Sequence, residues 1–464
     1  MAKQSVYFKP PVKFTLPEGS TATAENIIKA VDELRDRQDR YKQLHDYYIG
    51  DQPILYRQME SEAAKNNKLV NNFPSYIADI GADFLMGNPV DYQAPEDLDI
   101  DDLMKLYANQ GMSDIDSDIA LDAEIYGVAY DLTFANENSE PQTVQIDTRN
   151  TLMAYDDSVM HRELFAITCA DEETKDRKKI GHITVYTPSE IITGKLDGDA
   201  WIEEKRTTHF FNEVPVTIYR NNKNATGSYE MVLGLVDAYN TLQSDRVNES
   251  EQLADAILML KNFTLTDENA ELLREKRLLT SVPADGDAKY LTKPLNENDS
   301  DILKKAIADD IHKFSKTPNL SDQNFVGNSS GVALSYKLLA FEEITKTRER
   351  HMEKGLKKRL RLYWNFKNRL ALRKANGDIN KVDVIFNRAL PKNDYETSQM
   401  VNNLSGIIKP EILVKQLSFV DNAERALTPE AAAEDEPETA PETFPTVSAE
   451  EINADIEEKL AVEE

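Results

Sequence analysis

From Val332 to Ala375 the chain reads as one helix of about 44 residues, roughly 66 Å long at the usual rise per residue. Met352, Leu356, Leu360, Tyr363, Phe366 and Leu370 fall on one stripe of it, and Asn376-Gly377 supplies the stop. A helix that long exceeds the diameter of a compact domain and predicts a structural strut. Its charge constrains the fold further. Residues 345–374 carry twelve Lys or Arg against Glu349 and Glu353, in a chain whose formal net charge is −28. The stretch 91–122, with ten acids and one lysine, is the obvious counter-charge. The helix is therefore expected to meet that acidic surface, in its own subunit or in a neighbouring copy. Contact with DNA is the electrostatic alternative. Only Tyr363, Trp364 and Phe366 interleave with the cations, too few to indicate stacking on a single strand.

At 464 residues the chain exceeds one core and suggests about two to four domains. Hydrophobic residues make up 40% and charged residues 29%, which suits a soluble protein. No run approaches the ~18 apolar residues of a membrane span, and the start, MAKQSVYFKPPVKF, has no signal-peptide core. Cys169 is the single cysteine, so no intramolecular disulfide forms. Folding in a reducing cytoplasm is expected, rather than secretion or membrane insertion.

Catalytic and ligand motifs fail one by one. Asp97-Leu-Asp-Ile-Asp101 and Asp114-Ile-Asp-Ser-Asp118 resemble the start of a calcium loop, but Asp102 or Ile119 stands where glycine belongs and Ala108 or Ile125 where glutamate belongs. Gly194-Lys195 is followed by Leu196, with Ser189 in place of the first glycine of a phosphate loop. Gly327-Asn-Ser329-Ser-Gly331 matches a nucleophile elbow, yet the preceding Ser321–Val326 is too polar for the buried strand an elbow needs. Ser329 or Ser330 reads instead as a helix N-cap. No catalytic residue, metal or cofactor is expected, and no enzyme activity.

Helical periodicity starts at 23–49, with Ile27, Val31, Leu34, Tyr41, Leu44 and Tyr48 on one stripe, and resumes at 72–87 and on to about 126. Residues 128–220 switch to short alternating runs separated by turn residues, the pattern of a β-rich region. A helix at 234–258 carries Leu235, Tyr239, Leu242, Val247, Leu253 and Ile257 on its stripe. An insert over 259–298 follows, with strand-like Phe263–Thr266, Leu278–Val282 and Tyr290–Thr292 around a short charged helix. These strands are too few for a stable sheet alone, so pairing between adjacent subunits is expected. Asp299 or Ser300 is expected to cap the next helix, which runs to about 316 with Ile302, Leu303, Ala306, Ile307, Ile311 and Phe314 as its apolar face. A polar loop spans 317–331. Residues 421–464 hold fifteen acids and two bases in an Ala- and Pro-rich setting, which predicts disorder from about 428.

Five blocks in order then carry a resemblance. They are Tyr47-Tyr-Ile-Gly50 with Asn66–Val70; Asn71-Asn-Phe-Pro-Ser-Tyr-Ile-Ala-Asp79, continuing to Phe84–Val90; Ser244-Asp-Arg-Val-Asn248; Asn324–Ala333; and Phe386–Asn393. Over about 25–425 the chain resembles the portal (head-to-tail connector) proteins of tailed bacteriophages, in their SPP1-like branch. The resemblance implies an α+β portal fold, a mostly helical framework with a β-rich wing subdomain, assembled as a ring of about twelve subunits at one capsid vertex. Its parts would be a flexible N-terminal arm (1–22), a wing, helical then β-rich (23–233), stem helix 1 (234–258), a clip (259–298), stem helix 2 (299–316), a tunnel loop (317–331), a long wing helix (332–376), a wing strand and helical crown (377–427), and a disordered acidic tail (428–464).

It further implies a conduit for double-stranded DNA, for packaging and ejection. The partners implied are the terminase large subunit, a head-completion or adaptor protein, and the major capsid and scaffolding proteins. Such a protein resides in the virion, after assembly in the bacterial host cytoplasm. Lys305, Lys313, Lys316, Asn319, Asn324 and Asn328 are the expected channel residues, and Phe263, Arg274, Lys276, Arg277 and Lys289 the expected docking residues of the clip. The charge total suits passage rather than tight binding, because a ring of such subunits repels a polyanion over most of its surface. The alternative is an oligomeric virion structural or scaffold protein without a DNA channel.

Overall fold

In the computed structural model the described residues are 13–59, 65–173, 179–198, 200–254, 257–262, 286–291, 297–320, 331–370, 377–388, 394–405, 407–408 and 410–414. The chain divides into two compact units, residues 1–390 and 391–464.

The first unit begins with strand β1 (Phe14–Leu16) and helix α1 (Ala24–Tyr48). Thr23 caps α1 by accepting the Asn26 N–H, and Glu25 sits in its positive first turn. Gly50, at φ +85°, takes the left-handed turn that ends it. Helix α2 (Phe73–Met86) starts at the Asn72 cap with Pro74 in its first turn and stops at Gly87, as the sequence indicated. Strand β2 (Asp91–Gln93) and helices α3 (Asp101–Asn109) and α4 (Met112–Tyr126) complete the helical segment.

The β-rich region forms two sheets. One orders β1, β5 (Thr151–Asp156), β6 (Glu163–Glu173), β7 (Lys179–Tyr186), β8 (Glu190–Asp197) and β9 (Ala200–Thr208); β1 is parallel to β5 and the other neighbours are antiparallel. The other orders β10 (Val216–Arg220), β3 (Val128–Ala135) and β4 (Pro141–Ile146). Alternate residues of the six-stranded sheet, among them Leu152, Phe165, Ile167, Ile183, Val185 and Ile192, bury against Ile27, Val31 and Leu34 of α1. A second core, with Tyr130, Met153, Tyr155 and Val216, joins the two sheets.

Helix α5 (Leu233–Ala254) and helix α6 (Glu297–Ser315) pack together, with strands β11 (Ile257–Lys261) and β12 (Asp287–Leu291) paired antiparallel between them. Helix α7 (Gly331–Leu370) has 40 residues, about 60 Å. It buries Met352, Leu356, Leu360, Tyr363 and Phe366. Gly355 lets it touch the second sheet, since a Cβ there would lie 2.3 Å from the Tyr219 ring. Strand β13 (Asp383–Ile385) pairs with β2. The second unit contains helices α8 (Asp394–Leu404) and α9 (Pro410–Val414).

Several expectations need correction. The arm assigned to 1–22 is not flexible throughout, because Phe14–Leu16 hydrogen-bonds to β5 and Leu16 enters the core. The helix expected over 234–258 ends at Ala254; Ile257 belongs to a strand, in register with Leu291. The run Ile257-Leu-Met-Leu260 is continuously apolar, so periodicity alone fits either structure. Helix α6 begins at Glu297, which places Asp299 and Ser300 inside its first turn rather than at the cap. The two described strands of the insert pair with each other inside one chain, and the expected pairing between adjacent subunits would fall on their outer edges. Phe263–Thr266, Leu278–Val282, Ser329, Ser330 and residues 371–376 lie outside the described residues.

The basic strut finds its counter-charges in its own chain. Arg359 meets Asp116 (2.6 Å) and Asp131 (3.4 Å), Arg348 meets Glu124 (3.0 Å), Arg361 meets Glu213 (3.1 Å), Lys367 meets Asp102 (3.8 Å), and Lys358 pairs with Glu163. The acidic stretch 91–122 supplies Asp102 and Asp116; the remaining partners lie beyond it.

Candidate functional site: the α5–α6 hairpin and the loop that leaves it

Helix α5 carries Asn240, Ser244 and Asn248 at i, i+4 and i+8, all buried on one face. Opposite them runs the extended segment 66–72. The Asn71 N–H donates to Asn240 Oδ1 (2.8 Å), the Leu69 N–H to Ser244 Oγ (3.0 Å), and the Asn67 N–H to Asn248 Oδ1 (2.8 Å). The match is geometric. Four helical residues advance about 6.0 Å and two extended residues about 6.6 Å, so alternate amides of the segment meet successive turns of the helix. Asn240 also donates to Gln52 Oε1 (2.5 Å), and Gln52 donates to Asn72 Oδ1 (3.1 Å), tying the ladder to the cap of α2. Arg57 closes the far end on Asp245 (2.7 Å).

Removing one rung takes the buried acceptor away from a part-buried backbone amide. Asn240→Leu leaves the Asn71 N–H without its acceptor and Gln52 Oε1 without its donor, so a loss of about 2–4 kcal/mol is expected. Ser244→Ala orphans the Leu69 N–H alone and should cost about 1–2 kcal/mol. Urea unfolding of the purified chain measures both. Midpoints equal to wild type would mean that the segment is held by other contacts.

Helix α6 exposes two kinds of side chain. Ile311 is buried and Ile307 packs beside it. However, Ile302, Leu303 and Phe314 are 68%, 50% and 57% exposed, so only part of the expected apolar face is covered within one chain. Lys305, Lys313 and Lys316 are exposed, and none forms an ion pair among the described residues; Lys313 Nζ lies 5.5 Å from the Phe314 ring centre. Arg246 of α5 reaches Asp301 of α6 at 2.8 Å.

The first four loop residues, 317–320, are fixed. Lys316 turns the chain at φ +62°. His312 contacts the Thr317 carbonyl through Nδ1 (3.1 Å), between the rings of Phe73 and Tyr76, each 5.8 Å away. Burial lowers its pKa, so at neutral pH it is an uncharged bracket and not one of the solvated groups beside Lys305 and Lys313. The Tyr76 hydroxyl donates to the Pro318 carbonyl (2.9 Å) and accepts the Leu320 N–H (3.0 Å). Asn319 lines a small cavity with Asn71, Asn72, Phe73, Tyr76 and His312.

Asn324 and Asn328 lie outside the described residues, as do Phe263, Arg274, Lys276 and Arg277 of the insert. Lys289 is placed by its backbone opposite Met259 in β12. Sequence reasoning missed the roles of Asn240 and Tyr76. The i, i+4, i+8 spacing of Asn240, Ser244 and Asn248 was the available signal, whereas nothing local links Tyr76 to a loop some 240 positions away. Among the described residues no group of acids, histidines and cysteine is arranged to hold a metal ion, and no helix is long and apolar enough to cross a membrane.

The family profile described as "Phage portal protein, SPP1 Gp6-like" matches residues 29–441. The chain is similar to the portal protein of Clostridium phage phiCD119, 22% identical over 421 aligned positions that cover 84% of this chain and 91% of that protein. It is similar to the portal protein of Bacillus phage SPP1 at 22% identity over 425 positions, covering 87% of this chain and 82% of that protein.

Proposed function

This chain belongs to the SPP1-like family of phage portal proteins, and from that premise we propose that it forms the ring at one capsid vertex through which double-stranded DNA is packaged and ejected. The α5–α6 hairpin is the stem, the β11–β12 insert the clip, the loop after Thr317 the tunnel loop, and α7 the strut of the wing. The terminase large subunit and a head-completion protein dock on the clip, and capsid and scaffolding proteins surround the wing. ATP hydrolysis belongs to the terminase, because the portal chain has no phosphate loop.

The observation that carries this reading, beyond family membership, is the surface of α6. Ile302, Leu303 and Phe314 leave apolar area in water that a neighbouring copy would cover, while Lys305, Lys313 and Lys316 add cations that meet no carboxylate among the described residues. Twelve such helices at about 10 Å spacing enclose a bore of roughly 28 Å, enough for a duplex and its water layer. Sparse lysines in a strongly acidic ring steady DNA without trapping it. End-on electron microscopy of the purified full-length chain, with its particle mass, tests the proposal. A closed ring with a central hole near that bore is expected; monomers, filaments or a ring with no hole would overturn it.

A further inference from the structure

A cavity of about 510 Å³ opens where the two sheets of the wing meet under α1 and α7. Its charged and imidazole lining is Lys13, Arg37, Arg220, Lys223, His161 and His351, with no carboxylate among the lining residues. In a chain of net charge −28 that is unusual company, and it contrasts with buried and half-buried cations elsewhere in the same unit. Arg40, Arg57, Arg348, Lys358, Arg359, Arg361 and Arg388 each meet a carboxylate.

Lys13, Arg220 and Lys223 have no carboxylate within ion-pair distance among the described residues. Arg220 leans on Tyr155 instead, its guanidinium 5.8 Å from the ring centre and Nη2 3.4 Å from the hydroxyl, and Lys13 Nζ sits 5.1 Å from the same ring. One tyrosine thus holds two cations together. The nearby acids are engaged: Glu163 with Lys358, and Glu33 with Arg37. Burial, then repulsion from Arg220 and Lys354, lowers the pKa of Lys13, and burial with the same two cations lowers that of His351. The field inside the cavity is therefore positive, offset in part by Glu163 beside Lys13 and by Glu33 on Arg37.

The walls between the cations are Tyr130, Met153, Tyr155 and Ile218. Cations fanned over an aromatic and apolar floor, in a volume within the usual ligand range, match a compact anion with several charges on adjacent phosphates. We propose that this cavity is a binding site for small polyphosphates, one per subunit, distinct from the stem and its DNA. A bound polyphosphate supplies the missing counter-charge at the joint between β1 and β5 of one sheet, β3 and β10 of the other, and α7.

Calorimetric titration of the full-length protein with inorganic pyrophosphate at low salt tests the site. Saturable binding at one per subunit is expected, weakened about tenfold or more by Arg220→Gln, which removes the cation at the floor. Lys223→Gln, at an exposed position that leaves the fold intact, should weaken it about threefold, and Lys381→Gln, remote from the cavity, should leave it unchanged. Absence of saturable binding up to about 10 mM pyrophosphate would overturn the proposal, as would equal affinity in wild type and both cavity variants. Binding of duplex DNA that pyrophosphate fails to displace would also overturn it, by making these cations part of a nucleic-acid surface.

Discussion

Arg359→Met is expected to destabilise the first compact unit by about 3–5 kcal/mol, enough to prevent folding of a marginally stable chain. Arg359 is completely buried. Its guanidinium lies 2.6 Å from Asp116 and 3.4 Å from Asp131, with the Tyr107 ring 5.4 Å away, and Asp131 also accepts the Tyr219 hydroxyl (2.6 Å). Methionine keeps the volume and removes the one cation between two buried carboxylates. Burial already raises the pKa of both aspartates, with Arg359 opposing that shift. Without it both carboxyls move further up and fold as neutral acids. An acid whose folded pKa lies above its unfolded one contributes stability that is present at low pH and is lost as pH rises. The deficit of Arg359→Met should therefore shrink on acidification from pH about 8 towards 5, the reverse of ordinary acid denaturation. Adding Asp116→Asn and Asp131→Asn removes both stranded charges and should recover most of the loss at neutral pH. Urea midpoints of the three proteins across that range decide the matter. A single variant as stable as wild type at pH 8, or a deficit independent of pH, would show that the buried cation is dispensable.

That network marks the boundary of what the sequence discloses. The strut could be read because its stripe, from Met352 to Leu370, repeats over many turns, and its excess of cations demanded acids. Which acids was another question. Asp102 and Asp116 lie in the conspicuous acidic stretch, but Asp131, Glu163 and Glu213 are scattered over strands of both sheets and a turn, and only the folded β-rich region brings them to α7. Helix α1 was legible from end to end because cap, stripe and Gly50 agree. Ile257 was not, because four consecutive apolar residues have no period. The face of α6 was half legible: periodicity identifies Ile302, Leu303 and Phe314 as apolar, but not that one chain leaves them uncovered. The blocks that carried the family resemblance were legible as a pattern and opaque as to purpose. Asn67, Asn71, Ser244 and Asn248 prove to be joinery between α5 and the segment before α2. The basic cavity was invisible, since its Lys, Arg and His residues come from five separate places in the chain.

Asn324→Arg and Asn324→Asp are both expected to leave ring assembly intact and to lower DNA packaging by about tenfold or more. The chain leading into this loop is fixed as far as Leu320. Tyr76 and His312 hold residues 317–320 at the end of α6, so the loop departs from that helix at a defined point. Beyond it, the sequence offers Asn324, Asn328, Gly327 and Gly331, with amide side chains that hydrogen-bond without net charge. An uncharged contact with phosphate releases no counterions and so does not hold moving DNA. Placing arginine at 324 in every subunit of a ring of about twelve adds as many phosphate anchors, and DNA should stall. Placing aspartate there adds the same number of repulsive charges to a loop proposed to face the DNA, and entry should fail. The two substitutions act through opposite signs, so loss of function in both, in rings that look normal end-on, points to proximity to the polyanion rather than to misfolding. Packaged DNA length and particle yield in an in vitro packaging reaction provide the readout. If both variants assemble and package at the wild-type rate and length, the loop does not face the DNA, and the lysines of α6 become the channel lining to test next.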